Sequence, residues 1–300
     1  MLARAIMGCM SKISVTHFTD PGCPFAYSAS PALAVLRWRY GRQLQWRLVT
    51  IGLAEDPQRY IDAGYTPTRM SISNMHFRRY GMPFLAEPRA RVAATSRACR
   101  AIVATRLLDP EREEEVLRAL QLSWFNTTLV LDEDAALESA LGRVQGLDVK
   151  AIVGAIDEEA TLAAYEADKQ ETRTAEGGAT HLQGKARQTD GPVRFSAPSL
   201  VFHNESGRRL EAGGFQPIEA YDVIVANLDP KLERRDPAED PLTVLNEFPT
   251  ALTTAEVAAI MTQNNQQPDR DAAERALLEL LGEGSVQRIA LGDDALWQLA

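Results

Sequence analysis

Cys23 is the residue in this sequence best placed to do chemistry. It follows Asp20-Pro21-Gly22, a cluster of turn residues, and precedes Pro24, a residue type favoured at the first position of a helix. A cysteine so placed sits at a helix N-terminus, where the macrodipole and free backbone N–H groups favour negative charge. The expectation is a stabilised thiolate with a lowered pKa, and so a nucleophilic sulfur at neutral pH. The alternative for a solitary cysteine is a small buried hydrophobe. Asp20, three residues upstream, either carries a proton to and from the thiol or shapes the turn. Phe25 and Tyr27 either flank the sulfur or serve the core as aromatics.

The other chemistry-bearing residues are scattered. Cys9 and Cys99 are far from Cys23 in sequence, so there is neither a disulfide framework nor metal-ligand spacing. Cys99 shares an apolar helical face with Val92, Ile102, Val103 and Leu107 and reads as core. A remote resolving thiol is its other role, should its helix fold over the site. Cys9 lies in residues 1–11, read as a ragged leader: Gly8-Cys9 has the look of a lipoprotein cleavage site, but Arg4 interrupts the apolar stretch that would need. His17, His76, His181 and His203 have no paired spacing for a metal. His17 reads as structural, and His76 has a chance to face a cleft. Ser28 and Ser30 lack a Gly-x-Ser-x-Gly setting, and no Gly-x-Gly-x-x-Gly or P-loop occurs.

The elements that must position Cys23 follow from patterning. Ile13–Phe18 is β-branched and aromatic and reads as a strand; an apolar-rich helix runs from Pro24 to Tyr40; Leu44–Thr50 alternates as a second strand. Strand–helix–strand is the unit of a parallel sheet. Residues 55–185 turn helical, with apolar sets such as Val116, Leu117, Leu120 and Trp124. Ala197–Phe202 resumes strand character, Leu210–Phe215 reads as its hairpin partner, and Ile218–Leu228 as a closing helix. Residues 229–249, rich in Pro, Asp, Glu and Arg, read as a linker. In the last fifty residues Thr253-Thr-Ala-Glu256 has the form of a capping box, Asp269 opens a second helix, and Val286–Ile289 and Ala295–Leu299 pair around Gly292. Helix, helix, hairpin is the order of a winged helix-turn-helix.

With these elements in order, the sequence resembles the DsbA-like thioredoxin-fold family over residues 13 to about 228. Cys23-Pro24-Phe25-Ala26 stands where those proteins carry Cys-Pro-X-Cys. Ala197-Pro198 is similar to the loop whose proline is cis and faces the active cysteine. Gly81-Met-Pro-Phe84, the stretch from Ala119 to Phe125 and Gly146-Leu-Asp148 resemble the helical insertion of the branch holding FrnE-like proteins and the 2-hydroxychromene-2-carboxylate isomerases. The resemblance implies an α/β thioredoxin fold with a large helical insertion, to which the helix, helix, hairpin order adds a small C-terminal winged-helix-like domain. The core would take 12–54 and 186–228, the insertion 55–185, the linker 229–249 and the extension 250–300. It implies a catalytic Cys23 with Asp20, and a thiol- or substrate-binding surface of Pro24, Phe25, Ala26, Tyr27, Ala197 and Pro198.

The departure is Ala26. A dithiol oxidoreductase uses a second thiol there to release its mixed disulfide. Three readings follow. In the first, Cys23 is a monothiol oxidoreductase centre acting on a small or protein disulfide, with glutathione or mycothiol as co-substrate and no tightly bound cofactor. In the second, the protein is a thiol-dependent isomerase or transferase like the hydroxychromene-carboxylate isomerases and kappa-class glutathione transferases, which carry a serine at the position of Cys23. In the third it is a non-catalytic adaptor that binds another protein.

Composition narrows the setting. Over 300 residues, 45% are hydrophobic and 24% charged, an ordinary globular balance with enough chain for a sizeable core. A net charge of -9 argues against nucleic acid and anionic membrane surfaces as partners. Residues 250–300 carry eight acidic and three basic residues, a sign that phosphates repel, so the extension is expected to dock on the main domain or dimerise rather than bind DNA. No stretch nears the roughly 20 apolar residues of a membrane span. Sparse cysteine suits a reducing compartment, and the cytoplasm is the expectation.

Overall fold

The computed structural model describes residues 12–189 and 191–300. The leader and Cys9 lie outside the described residues. β1 (Ile13–Thr19) is followed by α1 (Pro24–Ser28), α2 (Ser30–Tyr40) and β2 (Leu44–Thr50), which returns parallel to β1 with Ile13 opposite Leu44 and Thr19 opposite Thr50. The period of two places Ile13, Val15 and His17 on one face of β1. The single helix expected over Pro24–Tyr40 is two, divided at Ala29. Pro31 has no N–H to reach the carbonyl of Tyr27, so the ladder breaks there.

The helical block follows as α3 (Gln58–Asp62), α4 (Pro67–Phe77), α5 (Ser96–Leu108), α6 (Glu113–Asn126), α7 (Asp134–Leu141), α8 (Val149–Ala155), α9 (Glu159–Thr172) and α10 (Ala179–Leu182). Its apolar faces close on one another: Ile102, Val116, Leu120, Leu137 and Ile156 are fully buried together, and the cluster reaches beneath α1 to Tyr27, Phe84 and Phe125. The chain then re-enters the sheet through β3 (Ser199–His203), antiparallel to β1 with Val15 opposite Phe202, and β4 (Arg209–Gly213), before α11 (Ile218–Leu228). The sheet order is β2-β1-β3-β4. β1 and β3 are its central strands, so the ends of both, with the turn and loop beyond them, meet at one place.

The remaining elements are α12 (Pro241–Glu247), β5 (Leu252–Thr253), α13 (Thr254–Ile260), α14 (Arg270–Gly282), β6 (Val286–Leu291) and β7 (Asp294–Leu299), the strands ordered β5-β7-β6. The capping box is formed: Thr253 Oγ1 accepts from the Glu256 N–H and the Glu256 carboxylate accepts from the Thr253 N–H. The stretch 229–249, read as linker, holds α12. Asp240 caps it, accepting from the Thr243 N–H at 2.8 Å, Pro241 opens it, and Val244 and Leu245 are buried. Linker composition concealed an N-terminal helix signal of Asp followed by Pro.

This C-terminal unit is docked on the main domain. Leu252, Val257, Ile260, Leu277 and Trp297 pack with Ala34, Val35 and Trp38 of α2, and Ala255, Leu291 and Leu296 join the cluster under α1. Asp222 of α11 draws in Arg39, the Tyr40 hydroxyl at 3.1 Å, Arg234 at 2.6 Å and Asn264 at 3.1 Å, tying three parts of the chain together. The Arg118 guanidinium reaches from α6 to both oxygens of Glu256, each at 2.7 Å, and to the Ala251 carbonyl. The Glu256 side chain is 2% exposed, so deleting its cation leaves a buried carboxylate short of a partner. Arg118→Met is expected to lower unfolding stability by about 2–3 kcal/mol in urea denaturation; an unchanged midpoint would mean the contact contributes nothing net.

Candidate functional site

The site is built from the turn after β1 and the loop before β3. Asp20 to Cys23 form the turn: the Cys23 N–H donates to the Asp20 carbonyl at 3.1 Å and the Gly22 N–H to Asp20 Oδ1 at 2.9 Å. Position 22 has to be glycine. A Cβ there would lie 2.5 Å from Thr95 Cγ2 and 3.0 Å from the Trp124 ring, so the helical block presses directly on the turn. Cys23 is the N-cap of α1, with Pro24 next in the first turn. Its Sγ donates to the carbonyl of Ala197 at 3.3 Å, and the Ala197–Pro198 peptide bond is cis. Sulfur, helix tip and proline loop therefore share one spot.

The environment of the thiol differs from the expectation. Cys23 is 6% exposed, packed with Phe18, Ala26, Ile51, Phe195 and Ala197. Burial pushes its pKa up to about 12 rather than down. The backbone N–H groups of Ala26 and Phe25 pull the other way, as the helix-tip argument requires, and the positive charge of Arg194 assists them. The negative charge of Asp20 opposes them. Desolvation wins. One structural reason is that α1 is only five residues long, so few peptide dipoles stand behind the sulfur.

Of the residues singled out from sequence, Cys23, Pro24, Phe25, Ala26, Ala197 and Pro198 are brought together around the sulfur or at the tip of its helix. Asp20 and Tyr27 turn elsewhere. The Asp20 carboxylate is wholly buried and accepts from the N–H groups of Gly22 and Leu53, from Thr95 Oγ1 at 3.1 Å and from the Cys99 thiol at 3.4 Å. Of its two open roles, shaping the turn is the one these bonds describe. Burial raises its pKa while the four donors hold it down. Tyr27 points under α1, stacked on Phe125 and edge-on to Phe84, with its hydroxyl accepting from Asn126 at 2.9 Å. Cys99 is fully buried beside Val103 and Tyr165, its thiol turned to Asp20, which matches its reading as core. His76 lies exposed on α4.

Sequence reasoning missed Arg194 and an aromatic rim. Arg194 is 5% exposed and donates to the Phe195 carbonyl at 2.9 Å, which holds it in the loop before Pro198. Its placement in Gly191-Pro-Val-Arg-Phe195, just upstream of Ala197-Pro198, is the one local signal that could have drawn notice. Phe25, 41% exposed, is edge-on to Phe77 at 4.8 Å and faces Tyr80 and Phe215, each at 6.2 Å between ring centres. These rings come from three separate segments, and only Phe77 and Tyr80 are near one another in sequence. Arg194→Met is expected to slow alkylation of Cys23 at pH 8 about three- to tenfold by withdrawing a favourable charge. An unaltered rate in a variant with wild-type circular dichroism would show that the guanidinium does not reach the sulfur.

Among the described residues, no group of three or more His, Cys, Asp or Glu side chains could hold a metal ion, and no helix is long and apolar enough to cross a membrane.

Comparison with solved structures defines the class of fold. A proposed protein disulfide isomerase from Nitrosomonas europaea superposes over 72% of this chain and 97% of its own, with TM-score 0.55 and 18% identity. The cytosolic disulfide reductase DsbM from Pseudomonas aeruginosa covers 72% of this chain and 98% of its own, with TM-score 0.51 and 17% identity. A proposed DsbA oxidoreductase from Streptomyces coelicolor covers 76% and 93%, with TM-score 0.52 and 16% identity. The sequence matches no family model, and no curated protein resembles it closely enough to count as a relative. The fold is therefore the DsbA type: a thioredoxin core with a helical insertion.

Proposed function

We propose that this protein carries out thiol–disulfide exchange through Cys23 alone, in the reducing direction, with a low-molecular-weight thiol such as glutathione or mycothiol as second reactant. The observation that carries the reading is the Cys23 sulfur at 3.3 Å from the carbonyl that precedes cis-Pro198. In the first step the Cys23 thiolate attacks one sulfur of a disulfide R–S–S–R. A Cys23–S–S–R bond forms, the old S–S bond breaks, and R–S⁻ leaves and takes up a proton. In the second step the thiolate of the small thiol attacks the R sulfur, giving its own mixed disulfide with R and returning Cys23 as thiolate. No second motif cysteine takes part, consistent with Ala26.

Burial of the thiol supports this direction. A strongly oxidising dithiol owes its potential to a stabilised reduced form. Here burial destabilises the Cys23 thiolate, so reduced Cys23 is a poor leaving group and its mixed disulfide is long-lived. One structural neighbour is described as a disulfide reductase, the direction we favour. The rim of Phe25, Phe77, Tyr80 and Phe215 would receive an apolar part of the partner, and a cytoplasmic setting would keep the thiol reduced. The C-terminal unit, ordered helix, strand, two helices and hairpin, we read as winged-helix-like and as a packing module rather than a DNA reader, given its charge.

Intact mass after incubation with glutathione disulfide tests the reading. A single glutathione adduct is expected on the wild type, stable through desalting, and absent from Cys23→Ser. No adduct in the wild type would sink it. That result would turn the assignment to the adaptor, which the low exposure of the thiol also favours.

A further inference from the structure

We propose that the disulfide attacked by Cys23 is carried on an acidic polypeptide segment with an aromatic or large apolar residue beside its cysteine. The proposal rests on the thiol–disulfide reading and names the substrate class of that site.

The chain as a whole is acidic, with a net charge of -9, yet the surface round the sulfur has the opposite sign. Two segments give it that sign. Residues 66–85, which hold α4 and the turn after it, carry Arg69, Arg78 and Arg79 and no acid. Residues 185–195, which lead into the cis-proline loop, carry Lys185, Arg187 and Arg194 against Asp190 alone.

Both segments stand beside the aromatic rim. The Arg79 guanidinium lies 4.9 Å from the centre of the Tyr80 ring and donates to the Tyr80 hydroxyl at 2.9 Å. Tyr80 in turn faces Phe215 at 4.9 Å between ring centres. On the other flank, the Lys185 carbonyl accepts from the hydroxyl of Ser196, the neighbour of Ala197, at 2.6 Å. The Lys185 stem lies 3.4 Å from the place a Cβ on Gly214 would take, next to Phe215. Arg187 and Arg194 exchange backbone hydrogen bonds at 2.9 and 2.8 Å, and the Arg194 charge reaches the Cys23 sulfur.

The outer cations of this set lack acids of their own. Arg79, Lys185 and Arg187 are exposed, and among the described residues none of the three forms an ion pair. Arg78 and Arg69 are left out of the count, because Arg78 turns to the Phe84 carbonyl and to Asp293 at 3.8 Å, and Arg69 to the Gly64 carbonyl. Asp20, the acid nearest Cys23 in sequence, is buried against Thr95 and Cys99 and does not reach this surface. Exposed cations without carboxylates of their own draw in an anionic partner. They stand on two flanks with rings between them, so the fitting partner has carboxylates on either side of an apolar side chain. Phe25, two residues from the sulfur and 41% exposed, leaves apolar surface in water that such a side chain would cover.

The test is the rate at which the full-length protein releases pyridine-2-thione from blocked tetrapeptides whose cysteine is disulfide-linked to 2-thiopyridine. Cys23 attacks the peptide sulfur, Cys23–S–S–peptide forms as the peptide–pyridyl S–S bond breaks, and the leaving group takes the proton given up by Cys23. Subtracting the rate of Cys23→Ser removes reaction at the other cysteines, and dividing by the rate with mercaptoethanol, a neutral thiol, removes the peptides' own differences. Glu-Phe-Cys-Glu is expected to react about tenfold or more faster than Lys-Phe-Cys-Lys at low ionic strength, the ratio falling below about threefold in about 0.5 M salt. Glu-Ala-Cys-Glu is expected to react about threefold or more slowly than Glu-Phe-Cys-Glu. Arg79→Gln combined with Lys185→Gln, both exposed positions, is expected to bring the Glu-to-Lys ratio within about threefold of one. Equal rates with the Glu and Lys peptides, or a ratio unmoved in the folded double variant, would overturn the proposal and leave the thiol reading standing. So would a protein that takes up glutathione but none of the peptides. A Cys23 that forms no adduct with any of these disulfides would remove the thiol reading, and the substrate class with it.

Discussion

Alkylation of Cys23 by iodoacetamide is expected to accelerate about tenfold for each pH unit from 7 to 10, with no plateau in that range. The thiolate is the attacking species, and a thiol with pKa near 12 exists as thiolate in only about one part in 10⁵ at pH 7. An ordinary cysteine, at the reference value of 9.0, would carry about one part in 10² and would level off above pH 9. The predicted deficit at neutral pH is thus about a thousandfold before any loss of access is counted. The sign is fixed by competition. Two backbone N–H groups and Arg194 favour the anion, while burial and the Asp20 charge disfavour it, burial most of all. Mass spectrometry of alkylated peptides, resolving Cys23 from Cys99, gives the profile. A plateau below pH 9 would mean that the helix tip outweighs desolvation, as the sequence alone led one to expect.

Restoring a cysteine at position 26 is expected to convert the one-thiol site into a dithiol. In Ala26→Cys, the new sulfur would stand one helical turn from Cys23, within the same buried cluster. Release of a mixed disulfide would then be intramolecular, with an effective thiol concentration of order mM or higher instead of that of the free small thiol. The variant should lose two hydrogens in intact mass on oxidation and fail to retain the glutathione adduct, and its reduced dithiol form should reduce one equivalent of a protein disulfide without added small thiol, ending as the intramolecular disulfide. The replacement is small to medium at a position 1% exposed, so its thermal midpoint has to be recorded alongside. If the adduct persists in the folded variant, the second position does not face the sulfur and the DsbA-like geometry of α1 is wrong.

Local chemistry made much of this site readable beforehand. Asp20-Pro-Gly before Cys23, Pro24 after it, and Thr253 paired with Glu256 each act within four residues, and each is formed in the structure. The strands β1, β2 and β3 were legible because short β-branched and aromatic runs, alternating in β2, are bounded by turn residues and leave few alternatives. What escaped depends on distance in space. Whether a helix-tip cysteine is acidic turns on how much water the helical block and the loop 193–197 exclude, and that exclusion is set by Phe18, Ile51 and Phe195 arriving from three separate segments. Asp20 could have faced Cys23; it faces Thr95 and Cys99 because α5 packs there. Arg194 and the rim of Phe77, Tyr80 and Phe215 lie far from Cys23 in sequence. The helix within 229–249 was hidden by composition, although its Asp-Pro start was in plain view.

The seating of the C-terminal unit on α2 has a consequence for how the chain matures. Ala34, Val35 and Trp38 leave the ribosome well before the groups that cover them, Leu252, Val257, Ile260 and Trp297, which come more than two hundred residues later. Throughout synthesis of everything between, that patch is bare and adhesive, a state in which incomplete chains associate with one another or with a chaperone. The thioredoxin core of this protein therefore reaches its finished surface only after β7 has been made.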